Sequence, residues 1–104
     1  MRPQKITVSA VAASNWIPVD YKQSPMNVGV ACVVVSGTAT YTVEYTFDDI
    51  FDPTVTPVAF ALTAITAQTT SKEATINQPI MAVRLNVTAG TSPVVAMTLL
   101  QGQR

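Results

Sequence analysis

Val28-Gly29-Val30-Ala31-Cys32-Val33-Val34-Val35-Ser36-Gly37-Thr38-Ala39-Thr40-Tyr41-Thr42-Val43-Glu44-Tyr45-Thr46-Phe47-Asp48 decides the fold class of this chain. Val28, Val30, Cys32 and Val34 recur at every second position, Ser36-Gly37 interrupts, and Ala39, Tyr41, Val43, Tyr45 and Phe47 resume the alternation against Thr38, Thr40, Thr42, Glu44 and Thr46. A period of two belongs to a strand with one buried face, because successive side chains point to opposite sides. Ser-Gly between two such runs predicts a β-hairpin closed by a two-residue turn. In that register Val34 lies opposite Ala39, Cys32 opposite Tyr41, Val30 opposite Val43 and Val28 opposite Tyr45, which makes one face entirely apolar. A slip of one residue would set that row against the threonines.

A second unit near the other end of the sequence has the same pattern. Met81, Val83, Leu85 and Val87 alternate with Ala82, Arg84, Asn86 and Thr88; Ala89-Gly90-Thr91-Ser92-Pro93 reads as a turn; Val95, Met97 and Leu99 alternate with Ala96 and Thr98. A hairpin here sets Val87 against Val95, Leu85 against Met97 and Val83 against Leu99. Outside the two hairpins, residues 5–10 (Ile6, Val8 and Ala10 inward) predict a short strand, and Pro18 restricts Trp16-Ile17-Pro18-Val19 to an edge. Residues 20–27 read as a connection. Residues 48–57, bounded by Pro53 and Pro57, form a long loop, residues 58–66 a strand with a short helix as alternative, and residues 73–76 another strand. The expectation is all-β: an antiparallel β-sandwich, jelly-roll-like or Ig-like, of about seven to eight short strands. It occupies residues 1–104 as one domain, with residues 1–5 as an extended N-terminal arm.

Composition narrows the chemistry. The chain is 48% hydrophobic and 12% charged, against about 25% charged residues in ordinary soluble domains. Its six basic and six acidic residues cancel, so no net field draws in nucleic acid or an anionic membrane. The longest apolar run, around residues 30–35, is far short of the roughly 20 residues that span a bilayer. Histidine is absent, which removes the commonest general base and the commonest zinc ligand. The single cysteine, Cys32, lies in an apolar row and reads as a buried hydrophobe. Glu44, Asp48, Asp49 and Asp52 form one acidic cluster; loop carboxylates of this kind can ligate calcium, but the spacing is not that of an EF-hand, and a solvated loop is the simpler reading. No catalytic residue, cofactor or metal is expected.

Trp16-Ile17-Pro18-Val19-Asp20, the segment Ser36-Gly37-Thr38-Ala39-Thr40-Tyr41-Thr42-Val43-Glu44-Tyr45-Thr46, and Ala82-Val83-Arg84-Leu85-Asn86-Val87-Thr88-Ala89-Gly90 with Thr98-Leu99-Leu100-Gln101-Gly102 resemble small virion structural proteins of tailed bacteriophages. The resemblance implies a non-enzymatic assembly subunit, made in the host bacterial cytoplasm and carried in the virion. Within that class the first expectation is a capsid decoration, or cement, protein that acts as a homo-oligomer such as a trimer and has the major capsid protein or other virion proteins as partners. A tail, baseplate or fibre component is the alternative. The contact candidates are Met1, Arg2, Pro3, Gln4 and Lys5 together with Ile50 and Phe51, two apolar residues in a polar loop. A different class, a carbohydrate-binding module using Trp16 and the tyrosines as a stacking platform, predicts exposed, coplanar rings.

Overall fold

The computed structural model describes residues 4–19 and 27–101. The expected connection over residues 20–27 lies outside the described residues except for Asn27. Among the described residues the fold is all-β and antiparallel, one sheet of six strands: β1 (Gln4–Val8), β2 (Ile17–Pro18), β3 (Val28–Thr46), β4 (Phe60–Ala61), β5 (Lys72–Ile76) and β6 (Ala82–Gln101). A 3-10 turn, Thr63–Ile65, follows β4.

Neither predicted hairpin forms. β3 and β6, with 19 and 20 residues, each run straight through the expected turn and pair with one another along their whole length, from Val28 opposite Gln101 to Thr46 opposite Ala82. Cys32 therefore faces Met97 instead of Tyr41, and Leu85 faces Val43 instead of Met97. The chain builds fewer and longer strands than its punctuation suggests. Residues 58–66 also yield less strand than expected: two residues of β4 and then the 3-10 turn.

The turn signals mark a fold line instead. A straight strand of 19 residues would measure about 60 Å at the usual strand rise, yet the longest dimension of the molecule is 39 Å. The β3–β6 ribbon must therefore bend. It does so where Ser36 and Thr38 meet Val94 and Thr91, with register shifts on both sides of Ser36 and between Thr40 and Tyr41. Gly37 has φ +70° and Gly90 φ +143°, and Ser92 shares the left-handed region at φ 47°. A Cβ on Gly37 would stand 2.1 Å from the Ser92 carbonyl oxygen, and one on Gly90 2.1 Å from that of Thr38. Each glycine is thus needed for its backbone angle and for the close approach of the opposite strand.

The bulges also correct the phase. From Val34 to Tyr41 β3 advances seven residues, while the paired stretch of β6 from Val87 to Val95 advances eight. On β6 the large buried residues are odd-numbered throughout: Val83, Leu85, Val87, Val95, Met97 and Leu99. On β3 they switch from Val28, Val30 and Cys32 to Ala39, Tyr41 and Val43. A one-residue offset keeps both apolar runs on the same face of a bent sheet.

Two outer passes follow the ribbon. Along β6, β1 pairs with residues 95–99; then the Val87 N–H donates to the Ala12 carbonyl at 3.0 Å, the Ser14 N–H to the Leu85 carbonyl at 2.7 Å, and β2 pairs with Val83 and Ala82. Pro18 sits on this edge, as expected of a residue lacking an N–H. Along β3, Phe60 and Ala61 pair with Tyr45 and Glu44, Gln68 bridges Tyr41, and β5 pairs with residues 28–32. The sheet thus has a first half around residues 28–34 and 95–101 and a second half around residues 39–46 and 82–87.

The two halves share one core that includes Val28, Val30, Cys32, Tyr41, Val43, Leu85, Met97 and Leu99. Tyr41 links them directly. Its backbone belongs to the second half, while its hydroxyl donates to the carbonyl of Thr70 at the approach to β5. Burial pushes the Tyr41 phenol up to about 12, and the nearby Cys32 adds to the shift. Desolvation likewise raises the Cys32 thiol to about 12. Cys32 is a buried hydrophobe, as its place in the apolar row predicts.

Candidate assembly interface

At the far end of the second half the apolar row of β3 outruns its partner. The last β3–β6 pair is Thr46 opposite Ala82, but Phe47 continues the inward phase set by Val43 and Tyr45. Phe60 lies directly opposite Tyr45 on the neighbouring strand. The three rings of Tyr45, Phe47 and Phe60 contact one another at centroid distances of 5.7, 5.8 and 5.9 Å. Tyr45 packs against the core, whereas Phe47 is 55% and Phe60 46% exposed. Alternation assigns Phe47 to the apolar row; the structure puts it on the rim, because β6 does not extend far enough to cover it.

The loop that follows hangs from this rim. Asp48 closes its base: its Oδ2 accepts from the Val58 N–H at 2.7 Å, and its own N–H donates to the hydroxyl of buried Thr46 at 3.1 Å. Asp49 Oδ1 accepts from the Phe51 N–H at 3.0 Å. Asp52 Oδ1 accepts from the Thr54 hydroxyl at 2.7 Å and the Thr54 N–H at 2.9 Å. Those two Thr54 donors, the hydroxyl first, hold the Asp52 carboxyl below the usual carboxylate range. The aspartates thus cap turns of their own loop. Among the described residues no group of three metal-ligating side chains is placed to hold an ion.

Glu44 does not belong with those aspartates. It accepts from Arg84 Nε at 2.7 Å and from the Asn86 side-chain amide at 3.4 Å, on β6. Arg84 also lies over Trp16, its guanidinium carbon 4.5 Å from the ring centroid. This arrangement bears on the stacking-platform alternative. One face of Trp16 is taken by Arg84, Tyr41 is fully buried, Tyr45 is stacked on Phe60 at 25° and edge-on to Phe47 at 87°, and Tyr21 lies outside the described residues.

Phe51, at 69% exposure, is the most exposed large apolar residue among those described, and Val58 at the other end of the loop is also exposed. Ile50 is half-buried. Phe47 and Phe60 form the lip, Phe51 sits in the loop that hangs from it, and none of the three phenylalanines of the chain is in the core. Together the three partly exposed rings leave on the order of 300 Å² of aromatic surface in water. Phe47, Phe60 and Val58 escape the sequence reading as contact residues. The usable signal is three phenylalanines within fourteen positions, bracketing two prolines.

The other predicted contact element is on the opposite half. Gln4 and Lys5 lie on β1, opposite Leu99 and Thr98, and both are exposed. Met1, Arg2 and Pro3 lie outside the described residues. The outer face of the first half carries a shallow groove of about 590 Å³ with Gly29 and Ala31 on its floor and Glu73, Thr75, Thr98 and Leu100 along its sides. Among the described residues no helix is long and apolar enough to cross a membrane.

No family model matches the chain, and no curated protein matches it. Among solved structures, it is similar to a chain from Bacillus endospore appendages, described as a novel family of disulfide-linked pili, at 19% identity and a TM-score of 0.46, with 94% of this chain and 84% of that one covered.

Proposed function

We propose that this chain is a non-enzymatic structural subunit of a tailed-bacteriophage virion, a decoration protein that binds the outer surface of the head and stabilises it by contact area. The observation that carries this reading is the phenylalanine lip: a small domain has left all three of its phenylalanines outside its own core, on and around one loop. Aromatic residues at an exposed rim serve contact with another protein, since burial of such rings dominates interface energetics. The near absence of net charge and the threonine-rich faces suit a subunit covered in part by its neighbours. The bacteriophage assignment itself rests on the sequence resemblance, and a tail, baseplate or fibre position is the second reading within it.

An electron-microscopy reconstruction of particles from the source tests the proposal. Regular density for this chain over the capsid lattice is the expected result. Density confined to the tail moves the protein to the second reading, and absence from the particle overturns the virion assignment. Phe51→Ala should lower occupancy on particles while leaving thermal stability within about 0.5 kcal/mol, since an exposed side chain contributes little to folding. Undiminished occupancy would remove the lip from the contact.

A further inference from the structure

We propose that the phenylalanine lip of one copy receives the basic segment at residues 1–5 of a second copy, so that subunits associate head to tail. The inference deepens the assembly reading above and rests on it for its biological setting, but the contact concerns two copies of this chain alone.

Charge selects the occupant. The lip carries Asp48, Asp49 and Asp52 beside its rings, with no basic residue between positions 23 and 71. Packing two lips together would bring six carboxylates into one interface, which like-charge repulsion opposes. The complementary surface is an apolar segment with closely spaced cations. Met1-Arg2-Pro3-Gln4-Lys5 is that segment: Arg2 and Lys5 stand three residues apart, with Met1 and Pro3 as its apolar members. Of the other basic side chains among the described residues, Arg84 is held by Glu44 and Trp16, and Lys72 has Glu73 as its chain neighbour.

Geometry makes the contact intermolecular. On β1, Ile6 is half-buried and Val8 buried, while Lys5 and Thr7 are exposed. Alternation therefore turns Lys5 away from the core that the two halves share. The lip belongs to the other half, where Tyr45 continues the core face outward. A Lys5 that points away from the second half reaches a lip only on another molecule. Because the two surfaces differ, the contact is heterologous and generates a ring or a filament, according to whether the rotation closes. Its small area makes each junction weak and dependent on neighbours for avidity.

Sedimentation velocity of the full-length protein, without particles, tests this. The expected result is a sedimentation coefficient that rises with concentration and falls back as salt is added, because exposed charge pairs are screened. Asp49→Asn with Asp52→Asn keeps the turn-capping oxygens and removes two charges; it should weaken association about tenfold. Phe51→Ala on the lip, and Arg2→Glu with Lys5→Glu on the arm, should each abolish higher oligomers while retaining the wild-type circular dichroism and melting temperature. Mixing the arm variant with the lip variant should restore dimers and nothing larger, since one intact arm then meets one intact lip. Association that survives the arm substitutions, or a mixture that stays monomeric, overturns the proposal, as does a wild-type protein monomeric at all concentrations. The two readings fail separately: a monomeric protein found on the capsid lattice sinks the head-to-tail contact alone, and an associating protein absent from particles sinks the virion assignment alone.

Discussion

The two halves of the bent sheet are built from the same alternating pattern and end differently. In the first half the apolar row of β3 begins under cover: Val28 is flanked by Gln101 on β6 and Ile76 on β5, and all three are buried. In the second half the pairing with β6 ends at Thr46 while the row runs on through Phe47, and β4 contributes Phe60 beside it. Equal pattern with unequal cover gives a covered start to β3 and an apolar lip beyond its end. The outer faces differ as well. Gly29 and Ala31 leave a groove over the first half, whereas Glu44, Arg84 and Trp16 form a stacked and ion-paired cluster on the second. An exposed apolar lip thus arises where a strand's hydrophobic run and its hydrogen-bonded length fall out of step.

The largest losses of stability are expected at the line between the halves. Gly37→Ala or Gly90→Ala places a Cβ 2.1 Å from an opposing carbonyl oxygen at a backbone angle that L-residues resist, so each should cost about 4 kcal/mol or prevent folding, read from urea denaturation. Gly29→Ala, whose Cβ meets only the Leu100 carbonyl oxygen at 3.6 Å, should change stability by less than about 0.5 kcal/mol. Similar losses at all three positions would remove the fold line as a special site.

Next in size are deletions within each half. Leu85→Ala in the second half and Met97→Ala in the first, both fully buried, should each destabilise by about 3 kcal/mol. Amide hydrogen exchange should then show protection falling in both halves together, because they share a core. Loss confined to the mutated half would mean that the two fold as separate units.

A smaller effect tests the link that crosses the bend. Tyr41→Phe removes the hydroxyl that donates to Thr70 and should cost about 1 kcal/mol. The same region sets an alkaline limit. Cys32 and Tyr41, ordinarily near 9.0 and 10.0, are both raised to about 12 in the folded state. The folded protein then holds more protons than the unfolded chain above pH 9, so their contribution is intact below that pH and is lost as pH rises toward 12. Cys32→Ala should flatten the decline measured by unfolding at pH 8–12; an unchanged slope would exclude the thiol as its source. The smallest effect belongs to the ion pair on the outer face. Glu44→Gln should cost about 0.5 kcal/mol, and less in high salt, since the pair with Arg84 is partly exposed.

The lip is half legible in the sequence. Phe51 stands out as an apolar residue in an acidic, proline-bounded loop, and it is exposed. Phe47 and Phe60 do not, because alternation assigns a residue to a face without saying whether anything covers that face. The acidic cluster misleads in the opposite direction: adjacency along the chain joins Glu44 to the aspartates, and cross-strand pairing gives it to Arg84.

The alternation and the proline alone are enough for the all-β class, the edge position of Pro18, the buried state of Cys32, and, Phe47 excepted, which residues of each run face inward on both sides of Ser36-Gly37 and of residues 89–93. These follow from local physics, since the two-residue period and the missing proline N–H act within a single strand. Which strand pairs with which is settled by long-range packing. A glycine with positive φ serves a hairpin turn and a bulge in a bent ribbon equally well, and the choice falls to whichever pairing buries both apolar faces. Here Cys32 and Tyr41 remain neighbours in both arrangements: as a cross-strand pair in the hairpin that the sequence suggests, and as members of a shared core in the folded ribbon that forms.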